Sequence, residues 1–97
     1  MELVFKESEQ VLSNKPAYEV EFEASSDFNI HIERPYDGDF LIFQKSIPNG
    51  KYTKVNNVYD LESKTIIDID LVGAVYPKWI KVVSEVEPTM AVVNFNA

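Results

Sequence analysis

The segment Tyr18-Glu19-Val20-Glu21-Phe22-Glu23-Ala24 places an apolar residue at every even position and a glutamate at every odd one. A period of two is the pattern of a β-strand with one buried and one wet face. The next segment repeats it: Phe28, Ile30 and Ile32 alternate with Asn29, His31 and Glu33 after a Ser25-Ser26-Asp27 turn. Composition points the same way, because valine and isoleucine together number 20 against 10 for leucine and alanine. The chain also carries five tyrosines and six phenylalanines. β-branched and aromatic side chains pack well on pleated surfaces, so the expected class is all-β.

Two geometries are open to these two strands. Paired as a hairpin, they need a three-residue loop, because directly opposed residues must share a face. Phe22 then meets Phe28, and Glu19 meets His31. Carried as an arch between two sheets, they have no such pairs.

Further along, Arg34-Pro35-Tyr36-Asp37-Gly38-Asp39 reads as a turn in which Asp-Gly supplies positive φ. The apolar run Phe40-Leu41-Ile42-Phe43 reads as a strand buried on both sides. Ser46 to Gly50 is a turn into a strand over Lys51 to Val55, and residues 56–63 read as a connection. Lys64 to Leu71 is a strand with Asp68 and Asp70 on its wet face. Trp79 to Val86 and Thr89 to Phe95 read as a last pair around Pro88. The N-terminal segment is read as a strand over Leu3 to Lys6, with a short helix as the other option. The expected organisation is an N-terminal strand or arm over residues 1–17 and a β-sandwich domain over 18–97. With about seven to nine short strands at turn spacings near ten residues, the expected fold is a single antiparallel β-sandwich or a small barrel.

Ninety-seven residues hold one core. A chain of this length buries only about 60–70% of the surface its unfolded form exposes. With no cysteine and no metal-ligand cluster in the pattern, a disulfide or structural zinc is not expected, and homo-oligomerisation is the expected supplement. The net charge of −7 disfavours partners held by phosphate neutralisation, so neither nucleic acid nor an anionic membrane is expected. That charge is localised: residues 1–40 hold ten acids and three bases, whereas residues 41–97 hold six of each. The first residues lack the positive flank and apolar stretch of a secretory signal, and no run is long enough for a membrane-spanning helix. The chain is therefore expected to be made in a cytoplasm.

Few residues suggest chemistry. His31 is the only histidine, on the wet face of its strand, and no serine lies in a nucleophile-elbow context. Asp68 and Asp70 read as a solvated face, and Asp37-Gly38-Asp39 lacks the full spacing of a calcium loop. Three glycines are too few for a phosphate-cradling loop. No cofactor and no catalytic residue are expected. The expected interaction surface consists of Glu19, Glu21 and Glu23, spaced about 6.5–7 Å apart along one strand face, with His31, Tyr76 and Trp79. Trp79 falls opposite in parity to Ile80 and Val82, on the face it shares with Lys81. It is either exposed there or covered by residues 56–63.

The stretch Ile42-Phe43-Gln44-Lys45-Ser46-Ile47-Pro48-Asn49-Gly50-Lys51-Tyr52-Thr53-Lys54-Val55 resembles the hairpin of small fibronectin-like or immunoglobulin-like β-sandwiches. In these a Q-x-S-x-D-G-x-x-[YW]-x-x-V pattern joins two core strands. Tyr76-Pro77-Lys78-Trp79-Ile80-Lys81-Val82-Val83 resembles a later strand of the same domains, and the likeness spans residues 18–95. Here Pro48-Asn49 stands where Asp-Gly is typical. Such short domains without cysteine are similar to accessory virion proteins of tailed bacteriophages, including capsid decoration proteins. The resemblance implies a non-catalytic structural protein that is located in the virion and binds other virion subunits. Attachment at the tail, neck or fibre is an alternative within that class. A carbohydrate-binding module using Trp79 and nearby tyrosines, and a monomeric inhibitor or adaptor, are the competing functions.

Overall fold

The computed structural model describes residues 1–12, 14–69 and 78–95, with backbone alone for residues 10, 11 and 56–60. Eight strands follow in order: β1 (Lys6–Leu12), β2 (Lys15–Ala24), β3 (Phe28–Glu33), β4 (Gly38–Lys45), β5 (Thr53–Leu61), β6 (Lys64–Ile69), β7 (Lys78–Ser84) and β8 (Met90–Phe95). They form two antiparallel sheets, one of five strands in the order β1-β2-β7-β4-β5 and one of three in the order β6-β3-β8. The fold is all-β, as expected, and is a small β-sandwich.

The core lies between the sheets and comes from the alternation that identifies the strands. Phe28, Ile30 and Ile32 of β3 are fully buried, while Asn29, His31 and Glu33 face outward. Phe40 and Ile42 of β4, Ile80 and Val82 of β7, and Val93 of β8 meet them from the other strands. Burial of this apolar surface is the main force holding the two sheets together. At one end, the rings of Phe22, Phe28 and Phe95 pack edge-on with centroids 5.3–6.4 Å apart, and so tie both sheets. β4 is buried on both sides: Leu41 leaves the main core and packs outward with Ala17 and Val83.

β2 and β3 lie in different sheets, so Ser25-Ser26-Asp27 is an arch and no Glu19–His31 pair exists. The same holds for the last two strands. β7 is paired between β2 and β4, whereas β8 pairs with β3, so residues 85–89 cross between sheets. β5 extends through residues 56–61, where a connection is expected from the sequence. Its ladder with β4 shifts register twice, and each shift resets the alternation on which the strand signal depends.

The N-terminal strand falls at Lys6–Leu12, not Leu3–Lys6. Lys6 stands opposite Glu19, an attractive cross-strand pair that favours this register. Ahead of it, residues 1–3 run along β8. The Met1 carbonyl accepts from the Val93 N–H at 2.8 Å, and the Leu3 N–H donates to the Ala91 carbonyl at 2.8 Å. Asn14, at φ 63°, takes the left-handed conformation at the β1–β2 turn, one that asparagine adopts at low cost.

Arg34, the only arginine, plugs the end of the sandwich away from the phenylalanine trio. It is 3% exposed. Nη2 donates to the carbonyls of Leu61 (2.8 Å) and Gly38 (3.2 Å), and Nη1 donates to Ser84 Oγ (3.1 Å). Ser84 Oγ in turn donates to the Val86 carbonyl at 2.7 Å. One guanidinium thus ties together the β3–β4 turn, the end of β5 and the end of β7. Gly38 serves this end through close approach, and its φ is not in the left-handed region. A β-carbon there would lie 2.9 Å from Val86 Cγ2.

Candidate functional site on the outer face of the five-stranded sheet

Strand parity sends Glu19, Glu21 and Glu23 outward from β2, and the register of β7 and β4 sets their neighbours. Three rows cross the sheet: Glu23 beside Trp79 and Lys45, Glu21 beside Lys81 and Phe43, and Glu19 beside Val83 and Leu41. Lys6 of β1 flanks Glu19 on the opposite side. The glutamate ladder is therefore one margin of a mixed patch in which aromatic and lysine side chains occupy the centre.

The connection from β4 to β5 brings Tyr52 onto this face. Lys45 Nζ lies 4.5 Å from the centroid of its ring, and Lys81 Nζ lies 4.9 Å from it and 5.1 Å from that of Phe43. Ammonium groups at such distances are attracted by the negative faces of aromatic rings. The Tyr52 phenol lies close enough to the Glu21 carboxylate to feel its charge. Its pKa is pushed up to about 12, first by burial and then by the nearby carboxylates of Glu21 and Glu19. The phenol therefore stays neutral at all ordinary pH values.

Trp79 is half-buried in its row between Glu23 and Lys45. The structure thus brings four of the expected surface residues, Glu19, Glu21, Glu23 and Trp79, onto one face. His31 lies elsewhere, on the outer face of the three-stranded sheet, directly opposite Ile66 on one side and Val92 on the other. Tyr76 lies outside the described residues. Lys45 and Phe43 of the patch are not among the residues singled out from sequence, and Tyr52 enters there only as one of the tyrosines weighed with Trp79 for carbohydrate stacking. Phe43 sits in a continuous apolar run that hides its parity.

The carboxylates elsewhere are engaged in structure or stand apart. Asp37 Oδ1 accepts the Ser63 N–H at 2.8 Å, and Glu85 Oε1 accepts the Asp39 N–H at 3.2 Å. Among the described residues, no three His, Cys, Asp or Glu side chains gather where they could hold a metal ion. Asp70 lies outside the described residues. No helix among them is long and apolar enough to cross a membrane.

No protein-family model matches the chain, and comparison with curated proteins and with solved structures gives no match either.

Proposed function

We propose that this protein is a non-catalytic binding protein that docks other protein surfaces through the outer face of its five-stranded sheet. The observation that carries this reading is the composition of that face: Trp79, Tyr52 and Phe43 at the centre, with Glu19, Glu21 and Glu23 along one margin. Aromatic side chains dominate binding energy at protein interfaces, and charges at the margin set partner choice and association rate. The ammonium–ring contacts of Lys45 and Lys81 hold these groups in place before a partner arrives, which lowers the ordering cost of association.

The partners proposed are subunits of a tailed-phage virion, with capsid decoration as the role, self-association into a homo-oligomer and location in the particle after synthesis in the host cytoplasm. The resemblance of the Ile42–Val55 hairpin is the support for this finer reading. Carbohydrate stacking fits the face less well, because a pyranose ring needs an open aromatic surface and lysine ammoniums lie over the Tyr52 and Phe43 rings.

Recovery of the protein in gradient-purified virions tests the proposal. The wild type is expected to remain bound, and Trp79→Ala is expected to weaken binding by roughly 30-fold, the loss of an interfacial aromatic anchor. Binding is also expected to weaken with rising salt. Absence from particles overturns the virion reading. Binding unaffected by both Trp79→Ala and reversal of the three glutamates overturns the assignment of the face. Separating heads from tails before the assay distinguishes decoration from tail, neck or fibre attachment.

A further inference from the structure

The four sheet edges are not equivalent. β1 shifts register against β2 between Glu7 and Val11, and β5 shifts twice against β4. The free side of β8 is covered by residues 1–3. Each of these is a known way of blunting an edge against unwanted pairing. β6 has none of them. Its six residues pair with β3 in unbroken register, and no strand among the described residues lies on its far side. It also exposes a large apolar side chain, Ile66, which is 60% accessible.

The sequence of β6, Lys64-Thr65-Ile66-Ile67-Asp68-Ile69, is complementary to itself when laid antiparallel. Opposed residues must share a face, so only registers that keep parity are allowed. With Ile66 on a two-fold axis, Lys64 stands opposite Asp68 of the second copy and Asp68 opposite Lys64 of the second copy, with Ile66 against Ile66 between them. All three lie on the outer face, and Thr65 and Ile67 oppose each other on the inner one. A slide by two residues in either direction places Ile66 against a charged residue and breaks both Lys64–Asp68 pairs.

We propose that β6 is the seat of a second copy of this chain, joined edge to edge as an antiparallel, two-fold dimer with a continuous six-stranded sheet. Backbone hydrogen bonds supply the pairing, the two Lys64–Asp68 contacts fix the register, and Ile66 is withdrawn from water. An isologous contact consumes both edges, so the assembly closes at two chains. This gives the proposed self-association a location on a different part of the molecule from the docking face, and it requires no virion partner.

Sedimentation equilibrium on the full chain tests it. The wild type is expected at twice 11.1 kDa at high micromolar concentration. Asp68→Lys places lysines opposite Lys64 of the second copy, and Lys64→Glu places carboxylates opposite Asp68 of the second copy. Each variant alone is expected to dissociate on the order of tenfold more readily. An equimolar mixture of the two restores opposite charges at both positions and is expected to recover the dimer. A monomeric wild type, an undisturbed Asp68→Lys dimer or a mixture that stays apart overturns the proposal. Should a variant lose its β-sheet circular dichroism, amide exchange on the unmodified chain decides. Alternate amides of β6 are expected to gain protection as concentration rises, and protection independent of concentration overturns the dimer.

Discussion

Arg34 and the glutamate ladder are the two places where this molecule concentrates charge, and they use it in opposite ways. Arg34 is buried at the end of the sandwich and spends its donors on the carbonyls of Gly38 and Leu61 and on Ser84. Burial lowers its pKa below the ordinary guanidinium value, and the charges of Asp37, Glu85 and Asp39 partly oppose that shift. The ladder lies on a face in contact with water, where Glu21 and Glu23 are exposed and the charge of Glu21 acts on the Tyr52 phenol. A charge that must satisfy buried carbonyls holds the fold together. A charge that water can also satisfy is free to serve a partner.

The sharpest way to break this contrast is Arg34→Met. It keeps the bulk of the side chain and removes every donor, leaving the Leu61 and Gly38 carbonyls unpaired in a buried place. The expected loss is about 3 kcal/mol, read by urea unfolding. A loss below about 1 kcal/mol, the value of a single ordinary hydrogen bond, would show that Arg34 is no plug. Ser84→Ala tests the next link of the same network. It removes a group that accepts from Arg34 and donates to the Val86 carbonyl, and about 1–2 kcal/mol is expected to go with it.

Reversing Glu19, Glu21 and Glu23 together to lysine is expected to cost less, about 1 kcal/mol. It sets like charges opposite Lys6 and Lys81 but exposes no buried polar group. Complete unfolding of that variant would place the ladder in the same class as Arg34. Tyr52→Phe is the mildest change. Because the folded pKa is raised above the ordinary 10.0 to about 12, the folded state holds the proton more tightly. The resulting stabilisation is full below about pH 10 and is lost as pH rises toward about 12. In the wild type one phenolate is expected to appear near pH 12 in ultraviolet titration, and Tyr52→Phe is expected to delete that step and nothing at lower pH.

How far each element is legible from residues follows from how its signal arises. β2 and β3 are plain because one face is dry and the other wet, so alternation is imposed residue by residue. β4 is equally plain as a doubly buried strand. The extent of β5 is hidden because its register shifts against β4 break the period. The position of β1 is hidden because Lys6–Leu12 carries little alternation, and its register rests on a partner 13 residues away, Glu19 opposite Lys6. Of the candidate site, parity alone places Glu19, Glu21 and Glu23 on a wet face and sets Trp79 opposite its core-facing neighbours Ile80 and Val82. That they share one face, and that His31 does not, depends on which strands are neighbours.

Local pattern by itself therefore determines that this chain is all-β, where most of its strands lie and which side of each is wet. It also determines that the excess negative charge resides in the first 40 residues, most regularly in the ladder. Tertiary structure decides which strands pair, that the β2–β3 and β7–β8 connections are arches, and that Arg34, placed in a turn by its sequence context, is a buried plug. It also decides that the ladder borders Trp79, Lys81 and Tyr52, and that β6 alone among the edges is regular and uncovered by the described residues. The physical reason is range. Alternation between wet and dry faces is set by neighbours along the chain, whereas sheet membership is set by the summed burial of strands distant in sequence, which no short window contains.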